Sequence, residues 1–281
     1  MIDRDTIPED FGAEPRAALR GLEQRARKRF GQHFLNDPSV PTRIVRAARV
    51  QPGDRVVEIG PGLGILTGAL LRAGADLTVV ELDRDLAAYL EERLPGLAIV
   101  CADAQKVDWA TICDPGTKVV ANLPYNVGTH LVMQLLRRPE HFASITVMLQ
   151  QEVVQRLLAE PGTKAYGALS VEATARARAT FILRVDPHQF VPPPKVTSAV
   201  IRFDLLDEPR FGTQNPEAFD RTVRTAFSQR RKTLLNALGA GYGRPEAQAA
   251  LEACGIDPQL RAERLTVEQF ADLAARLEQA G

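Results

Sequence analysis

Cysteine is scarce in this sequence, and the few cysteines present form no motif. Only Cys101, Cys113 and Cys254 occur among 281 residues, and no two of them make a Cys-x-x-Cys pair. An odd number of widely spaced cysteines argues against a disulfide framework and favours a reducing compartment, which we expect to be the cytoplasm. The four histidines also lack the spacing of metal ligands. We therefore expect no metal site.

The sequence also lacks long apolar runs and a net charge. No segment reaches the roughly 20 apolar residues of a membrane-spanning helix. The first thirty positions are charged rather than apolar, so we expect neither a membrane span nor a secretory signal. Lys plus Arg and Asp plus Glu number 35 each, so the overall basicity of many nucleic-acid-binding proteins is missing.

Basic residues are instead concentrated in two segments. The first is an N-terminal cluster, which comprises Arg16, Arg20, Arg25, Arg27, Lys28 and Arg29. The second is the basic helix cluster, which comprises Arg221, Arg224, Arg230, Arg231 and Lys232. Most basic runs are simply solvated helix faces, but two of them on a neutral chain favour contact with a polyanion.

The order of apolar runs predicts an α/β protein. Short apolar strands alternate with helices from residue 55, a pattern typical of a parallel, doubly wound sheet. The predicted strands are Arg55–Ile59, Leu77–Val80, Ala98–Val100, Lys118–Ala121 and Ile145–Leu149, followed by an antiparallel edge pair, Thr180–Val185 and Ala199–Asp204. After Leu206 only helical patterns remain.

This pattern divides the chain into three parts. Residues 1–28 are predicted to form an N-terminal arm, with 1–12 loosely held and 13–28 a surface helix. Residues 29–206 should form the catalytic domain and residues 207–281 a small all-helical domain. We expect a monomer.

A glycine turn and a series of polar residues follow successive predicted strands. Gly60, Gly62 and Gly64 come directly after the first strand, where glycine permits a tight turn and close approach of a ligand. Glu81 follows the next strand, about 20 residues later, where an acid can accept both ribose hydroxyl protons. Asp103 follows the third strand and can accept from the amino group of an adenine. The carboxyl ends of parallel strands meet at one edge, so a nucleoside site is predicted there.

The fourth of these strands ends in Asn122-Leu123-Pro124-Tyr125. Pro124 cannot donate a ladder hydrogen bond and should end the strand, leaving its carbonyl free of strand pairing. The Asn122 side chain supplies an acceptor oxygen and two N–H donors. Two acceptors beside the Tyr125 ring suit a planar base that bears an exocyclic amino group. An ordinary Asx-Pro turn would have the same local sequence.

Taken together, these motifs resemble those of the ribosomal RNA adenine dimethyltransferases. The resemblance is strongest to the KsgA/RsmA branch, which dimethylates two adjacent adenines in the 3′-terminal hairpin of small-subunit rRNA. It covers about residues 28–275 and also includes the segments Phe30–Leu35 and Phe190–Val200. It implies a Rossmann-like, S-adenosylmethionine-dependent methyltransferase sheet with a C-terminal helical domain. His33 departs from the family pattern, in which Asn is frequent.

The resemblance also implies individual residue roles. S-adenosylmethionine would be held by His33, Leu35, Gly60, Gly62, Gly64, Glu81, Asp103 and Asn122. Asn122 and Pro124 would hold the target amine, and Tyr125 and Phe190 would sandwich the target adenine. The basic helix cluster would bind rRNA within the small ribosomal subunit.

Three alternatives remain from the sequence. A large-subunit rRNA adenine-N6 methyltransferase of the macrolide-resistance type shares the catalytic motifs, although Pro192–Lys195 and Arg261–Leu265 favour the small-subunit branch. A non-catalytic assembly or transcription factor could use the same scaffold, but the intact Asn122–Tyr125 motif argues against it. An NAD dehydrogenase is disfavoured because the last glycine of the dinucleotide fingerprint falls on Ile65.

Overall fold

The computed structural model describes residues 7–8, 11, 33–229 and 231–279. The chain divides into two compact units. The sheet unit comprises the described residues up to Val154 together with Thr180–Leu205, and the helical unit comprises Gln155–Ala179 and the described residues from Leu206 onward.

The sheet unit is built on a seven-stranded sheet of order β4-β3-β2-β5-β6-β9-β7. Its strands are β2 Arg55–Ile59, β3 Asp76–Glu81, β4 Ala98–Cys101, β5 Thr117–Asn122, β6 Phe142–Gln150, β7 Ala177–Val185 and β9 Ser198–Leu205, and a separate two-stranded sheet pairs β1 Phe34–Leu35 with β8 Phe190–Val191. The strands from β2 to β6 run parallel, and β9 is antiparallel to β6.

Among the described residues, four helices belong to this unit: α1 Ser39–Ala47, α2 Ile65–Arg72, α3 Arg84–Arg93 and α4 Gly128–Leu136. Helix α5, Gln151–Leu157, crosses the division after Val154. Val119, Val120 and Ala121 of β5 have no exposed surface, as expected for a strand covered on both faces. The strand order places β2 and β5 side by side at the centre, so their carboxyl ends and that of β3 meet at one edge of the sheet.

The short β1–β8 sheet was not predicted. It pairs Phe34 with Val191 and Leu35 with Phe190, and the Asn36 N–H donates to the Gln189 carbonyl across 2.8 Å. Each strand has only two residues, too few for a periodic pattern. The pairing attaches the segment before α1 to the loop between β7 and β9.

Part of the N-terminal arm packs against the sheet unit, so the prediction that residues 1–12 are loosely held is wrong for three of them. Ile7 and Phe11 are buried, and Arg72 of α2 donates to the carbonyls of Pro8 (3.3 Å) and Phe11 (3.2 Å). The Phe11 ring lies against Gly64 and Gly68. The predicted helix 13–28 lies outside the described residues.

The helical unit has its own apolar core. Its helices are α6 Ala168–Thr174, α7 Pro216–Phe227, α8 Leu234–Tyr242, α9 Arg244–Ala253 and α10 Val267–Gln279. Phe219 and Phe270 are completely buried in this core, and the Tyr166 hydroxyl donates to the Leu265 carbonyl across 2.9 Å.

The observed division differs from the predicted one in two segments, because the described arm residues Ile7, Pro8 and Phe11 group with the sheet unit and residues 155–179 are grouped differently. The predicted boundary after residue 206 lies beside the observed boundary between Leu205 and Leu206. Residues 155–179, predicted within the catalytic domain, instead group with the helical unit. Val171 of α6 and Tyr166 just before this helix belong to the helical core, which explains the grouping.

The described residues lack two features that would bear on function. Within them, no helix combines the length and the apolar character needed to cross a membrane. The same residues contain no group of three or more His, Cys, Asp or Glu side chains placed to hold a metal ion.

Candidate active site

The glycine turn connects β2 to α2 at the carboxyl edge of the sheet. Gly60, Gly62 and Gly64 have φ angles of 67°, 58° and 83°, a left-handed conformation that other residues rarely adopt. A Cβ atom at Gly62 would lie 3.0 Å from the Phe34 ring, so a side chain there would be crowded as well as strained. The turn therefore presents backbone rather than side chains to the adjoining space.

Two cavities meet at this turn. The Asn122 cavity is lined by His33, Gly62, Glu81, Asn122, Tyr125 and Phe190, among others. The Asp103 cavity is lined by Leu82, Asp103, Gln105 and Val127, among others. Gly60, Glu81 and Pro124 line both cavities, so one elongated ligand could extend from one to the other.

Glu81 at the end of β3 is buried and partly engaged. One carboxyl oxygen accepts from the Gly62 N–H across 3.2 Å, and the other accepts from the Asp83 N–H across 2.9 Å. Burial raises the pKa of Glu81 above its usual range. Asp83 is the N-cap of α3. A carboxylate has about four acceptor positions, so Glu81 can hold the glycine turn and still accept ribose hydroxyls, a role that stays a prediction.

The Asp103 cavity combines two acids, Asp103 and Glu81, with an apolar wall. Asp103 accepts from the Gln105 N–H across 3.0 Å, which fixes its carboxylate at the start of the loop after β4. Leu82 is 50% exposed although it is a large apolar residue, and it lines the same cavity. The sequence reasoning missed Leu82; its only signal is an apolar residue directly after a strand-end acid. An apolar face beside an acceptor suits a flat base with an amino group.

Asn122 lies at the carboxyl end of β5 and lines the Asn122 cavity. Its Nδ2 donates to the His33 carbonyl across 3.5 Å, a long hydrogen bond. With the nitrogen directed there, the Oδ1 atom remains as an acceptor, and no described residue donates to it. The next residue, Leu123, is buried, and its N–H donates to the Met148 carbonyl of β6.

The Pro124 carbonyl is not free, contrary to the prediction. It accepts from the Gly128 N–H across 2.9 Å and from the Val127 N–H across 3.3 Å. Helix α4 begins four residues after Pro124, and its first N–H reaches back to this carbonyl as in any α-helical turn. Pro124 lines both cavities, but a ligand amine would have to share this oxygen with the helix.

Tyr125 is held at its hydroxyl and along its ring. The hydroxyl makes a 2.5 Å hydrogen bond with Ser198 Oγ, and the ring stacks on the His33 imidazole with centroids 5.7 Å apart and planes inclined by 30°. Burial raises the pKa of Tyr125. The sequence reasoning missed Ser198, whose distance along the chain leaves no local signal.

Phe190 and Leu35 are paired across the β1–β8 sheet and are both buried. Both also line the Asn122 cavity. Phe190 is only 3% exposed and packs in the main apolar core, so it serves as a core residue and a cavity wall at once. Stacking of a base between Phe190 and Tyr125 stays a prediction.

Glu58 is a further cavity residue that the sequence reasoning did not single out. This acid lies within β2, is fully buried, and accepts from the Thr67 hydroxyl across 2.6 Å. Burial raises the pKa of Glu58 to about 8, and the nearby Glu81 adds to the rise while the Thr67 bond opposes it. An acid in the middle of a buried strand was the available signal.

The basic helix cluster lies in the helical unit, and its members differ. Arg224 is paired with Glu172 (3.0 Å) and Asp220 (3.6 Å), and the hydrogen bond to Glu172 raises its pKa. Arg221 lies over the Tyr242 ring, with its guanidinium carbon 4.7 Å from the ring centroid. Arg231 and Lys232 are exposed, and no described residue makes an ion pair or ring contact with their side chains. Arg230 lies outside the described residues.

The arrangement fits S-adenosylmethionine. The glycine turn lines both cavities with backbone, Glu81 provides acceptors beside it, and Leu82 and Asp103 line the Asp103 cavity beyond. The Asn122 cavity continues from the turn to Asn122, Tyr125 and Phe190.

Known proteins are similar to this chain in sequence and in fold. A family model described as ribosomal RNA adenine dimethylase matches residues 23–279. The ribosomal RNA small subunit methyltransferase A of Syntrophotalea carbinolica is 47% identical over 260 residues, which cover 92% of this chain and 98% of that protein.

Two solved structures are also similar over most of their length. A dimethyladenosine transferase from Plasmodium falciparum superposes with a TM-score of 0.73 and 25% identity, covering 85% of this chain and 95% of that chain. The 23S rRNA methyltransferase ErmE superposes with a TM-score of 0.65 and 28% identity, covering 88% and 100%. The family match spans both units, and the chain belongs to the ribosomal RNA adenine dimethylase family.

Proposed function

We propose that this protein transfers methyl groups from S-adenosylmethionine to N6 of two adjacent adenines in the 3′-terminal hairpin of small-subunit rRNA. The observation that carries the proposal is the Asn122 side chain. It lies in a cavity that adjoins the glycine turn, and its amide nitrogen is directed to the His33 carbonyl so that its oxygen remains as acceptor. The proposed substrate is the small ribosomal subunit, so we propose that the protein acts in the cytoplasm. We also propose that it acts as a monomer.

The cofactor would occupy both cavities. Leu82 and Asp103 would contact its adenine, Glu81 its ribose, and the Gly60–Gly64 turn the chain that leads to the methionine portion. Bound S-adenosylmethionine supplies an electrophilic methyl carbon on its sulfonium sulfur.

The protein's task is to make the adenine amine a better nucleophile. Its nitrogen lone pair is delocalised into the ring. A hydrogen bond from one amine proton to Asn122 Oδ1 favours a more tetrahedral nitrogen and localises the lone pair. The Pro124 carbonyl can accept a hydrogen bond from the second amine proton only in competition with the Val127 and Gly128 N–H groups. Asn122 is therefore the principal acceptor.

No general base is required in this arrangement. The nitrogen becomes positively charged as it gains the methyl group, and it can then lose its proton to water. Asn122 and the neighbouring carbonyl dipoles are positioned for that developing charge. The monomethylated amine retains one N–H, which Asn122 Oδ1 alone can accept, so the same site serves the second transfer.

The base must leave its stack to reach Asn122. Unstacking costs a few kcal/mol and least in a loop. Tyr125 offers an aromatic surface in the cavity, and stacking on such a surface recovers about 1–3 kcal/mol per base.

The large-subunit alternative is less well supported. The relative named for the small subunit is 47% identical to this chain, whereas the 23S rRNA methyltransferase is 28% identical. Incubation with radiolabelled S-adenosylmethionine and each purified ribosomal subunit, followed by mapping of the modified bases, decides between them. Dimethyladenosine in 23S rRNA alone would contradict the proposal.

Replacement of Asn122 tests the catalytic role. The Asn122→Ala variant should lower kcat by about 10²–10³-fold, a loss typical of removing one preorganised polar contact. Calorimetry should show cofactor affinity within a few-fold of wild type, which controls for folding. Unimpaired turnover would remove Asn122 from the proposed role.

A further inference from the structure

His33 lines the Asn122 cavity and makes three contacts there and in the adjoining loop. Its ring Nδ1 is 2.8 Å from the Pro192 carbonyl, so this nitrogen carries the proton and donates. Its own carbonyl accepts from Asn122 Nδ2. Its imidazole stacks on the Tyr125 ring. One residue thus contacts the acceptor amide, the aromatic ring and the proline loop.

The stack on His33 restrains rotation of the Tyr125 ring about its own axis, which the hydrogen bond of the hydroxyl does not restrain. The Tyr hydroxyl lies on the axis about which the ring turns, so the bond to Ser198 Oγ fixes the position of that end but not the plane of the ring. A flat neighbour at 5.7 Å and 30° does limit the plane. His33 therefore sets the plane against which a base would stack.

His33 is itself held firmly. The bond to Pro192 fixes the ring, and the β1–β8 pairing fixes the adjoining backbone through Phe34 and Val191. The Asn36 N–H to Gln189 carbonyl bond extends this pairing by one residue. An imidazole anchored on both sides acts as a fixed support rather than as a side chain that swings toward a ligand.

We propose that His33 is a positioning residue of the target-base site, and that it orients the Tyr125 ring instead of binding the cofactor. The inference rests on the proposed function because it takes the base in this cavity to be the target adenine. It differs from the role that the sequence resemblance implies, which is contact with S-adenosylmethionine.

Three variants separate the two roles. His33→Phe keeps a flat ring without the hydrogen bond, His33→Asn keeps a polar group without the ring, and His33→Ala removes both. His130→Ala, at an exposed histidine on α4, is the matched control. Each protein is tested for cofactor affinity by calorimetry, for KM and kcat on small ribosomal subunits, and for thermal stability.

The ring itself gives a readout that does not depend on activity. The chain contains four tyrosines, so protein with ¹³C-labelled tyrosine rings gives a small set of signals, and Tyr125→Phe assigns one of them. In wild type the Tyr125 signals should show the restricted ring of a stacked tyrosine. In His33→Ala and His33→Asn they should shift and average, and in His33→Phe they should remain restricted.

The kinetic expectation follows from stacking. His33→Ala and His33→Asn should raise KM for the ribosomal subunit roughly tenfold, within the range of base–aromatic stacking. His33→Phe should restore KM to within about threefold, since it restores a flat neighbour for Tyr125. Cofactor affinity should stay within about twofold in all three.

Two results would overturn the inference. One is a tenfold loss of cofactor affinity in His33→Ala with KM for RNA unchanged, and the other is no rescue by His33→Phe of either KM or the Tyr125 signal. Failure of the proposed function looks different, because wild-type protein would then leave the small subunit unmethylated while the Tyr125 signals still report on the stack.

Discussion

At the scale of single residues, Glu58 shows how the sheet modifies a side chain. A carboxyl on an exposed strand would be ionised at neutral pH, but β2 is covered on both faces and Glu58 is buried there. Its pKa of about 8 means that Glu58 stays protonated at pH 7 in the folded protein. The Thr67 hydroxyl donates a hydrogen bond to this carboxyl group. The unfolded chain would lose that proton near pH 4.5.

This difference predicts a pH dependence of stability. The folded pKa lies above the unfolded one, so the contribution of Glu58 is complete below about pH 4.5 and is lost as the pH rises through about 8. The Glu58→Gln variant stays neutral. Its free energy of unfolding should therefore rise relative to that of wild type by up to about 1.4 kcal/mol for each pH unit between about pH 4.5 and about pH 8. Urea unfolding at pH 5.5 and 8.0 measures the effect. Glu92→Gln, at an exposed helix position, is the control. Parallel pH profiles for Glu58→Gln and wild type would contradict the prediction.

At the scale of elements, the glycine turn is packed from outside by the N-terminal arm. A Cβ atom at Gly64 would lie 2.3 Å from the Phe11 ring, and one at Gly68 would lie 3.1 Å from it. The two glycines thus form a socket on α2 for this ring. Arg72 closes the socket through its bonds to the Pro8 and Phe11 carbonyls.

The socket predicts that a distant arm residue stabilises the turn. Phe11→Ala should lower the free energy of unfolding by about 2 kcal/mol, the value of burying a Phe side chain. It should also weaken S-adenosylmethionine binding several-fold, because the left-handed turn at Gly64 loses its support. Phe181→Ala, at a half-exposed Phe of the same unit, should change stability by less than about 0.5 kcal/mol. Equal effects of the two substitutions would exclude the socket.

At the scale of the whole molecule, the residues proposed for catalysis and those proposed for polyanion contact belong to separate units with separate cores. Within the helical unit, Arg176 is buried and paired with Asp220 across 2.7 Å, and Arg224 pairs with Asp220 and also with Glu172. Arg224 is therefore partly neutralised, and its loss should affect stability more than RNA contact. The exposed Arg231 and Lys232 are better placed for phosphate.

This distinction predicts a salt-dependent effect on RNA binding. The double variant Arg231→Ala, Lys232→Ala should weaken binding of the small subunit and reduce the slope of log K against log salt by about 1–2, since each phosphate contact contributes about 0.7–0.9. Arg43→Ala with Arg46→Ala removes the same charge from the exposed face of α1 and should change the slope less. Filter binding from 50 to 300 mM KCl measures both. A wild-type affinity that does not respond to salt would exclude electrostatic docking.

Features encoded in adjacent residues were predictable from the sequence. β2 was predicted with its observed ends, and β3 to β5 were predicted within one residue at each end. Apolar runs, glycine turns and helix caps depend on neighbours along the chain, which is why the edge that collects Gly60, Glu81, Asp103 and Asn122 could be inferred.

The sequence by itself thus determined the α/β class, the family and the edge of the sheet that carries the site. Only the tertiary structure decided how those residues are held: the stack of His33 on Tyr125, the socket for Phe11, the two N–H groups on the Pro124 carbonyl, and the grouping of residues 155–179 with the helical unit. Most of these contacts join residues far apart in the chain, and burial, as at Glu58, depends on every element packed around a residue. Neither leaves a periodic signal in the local sequence.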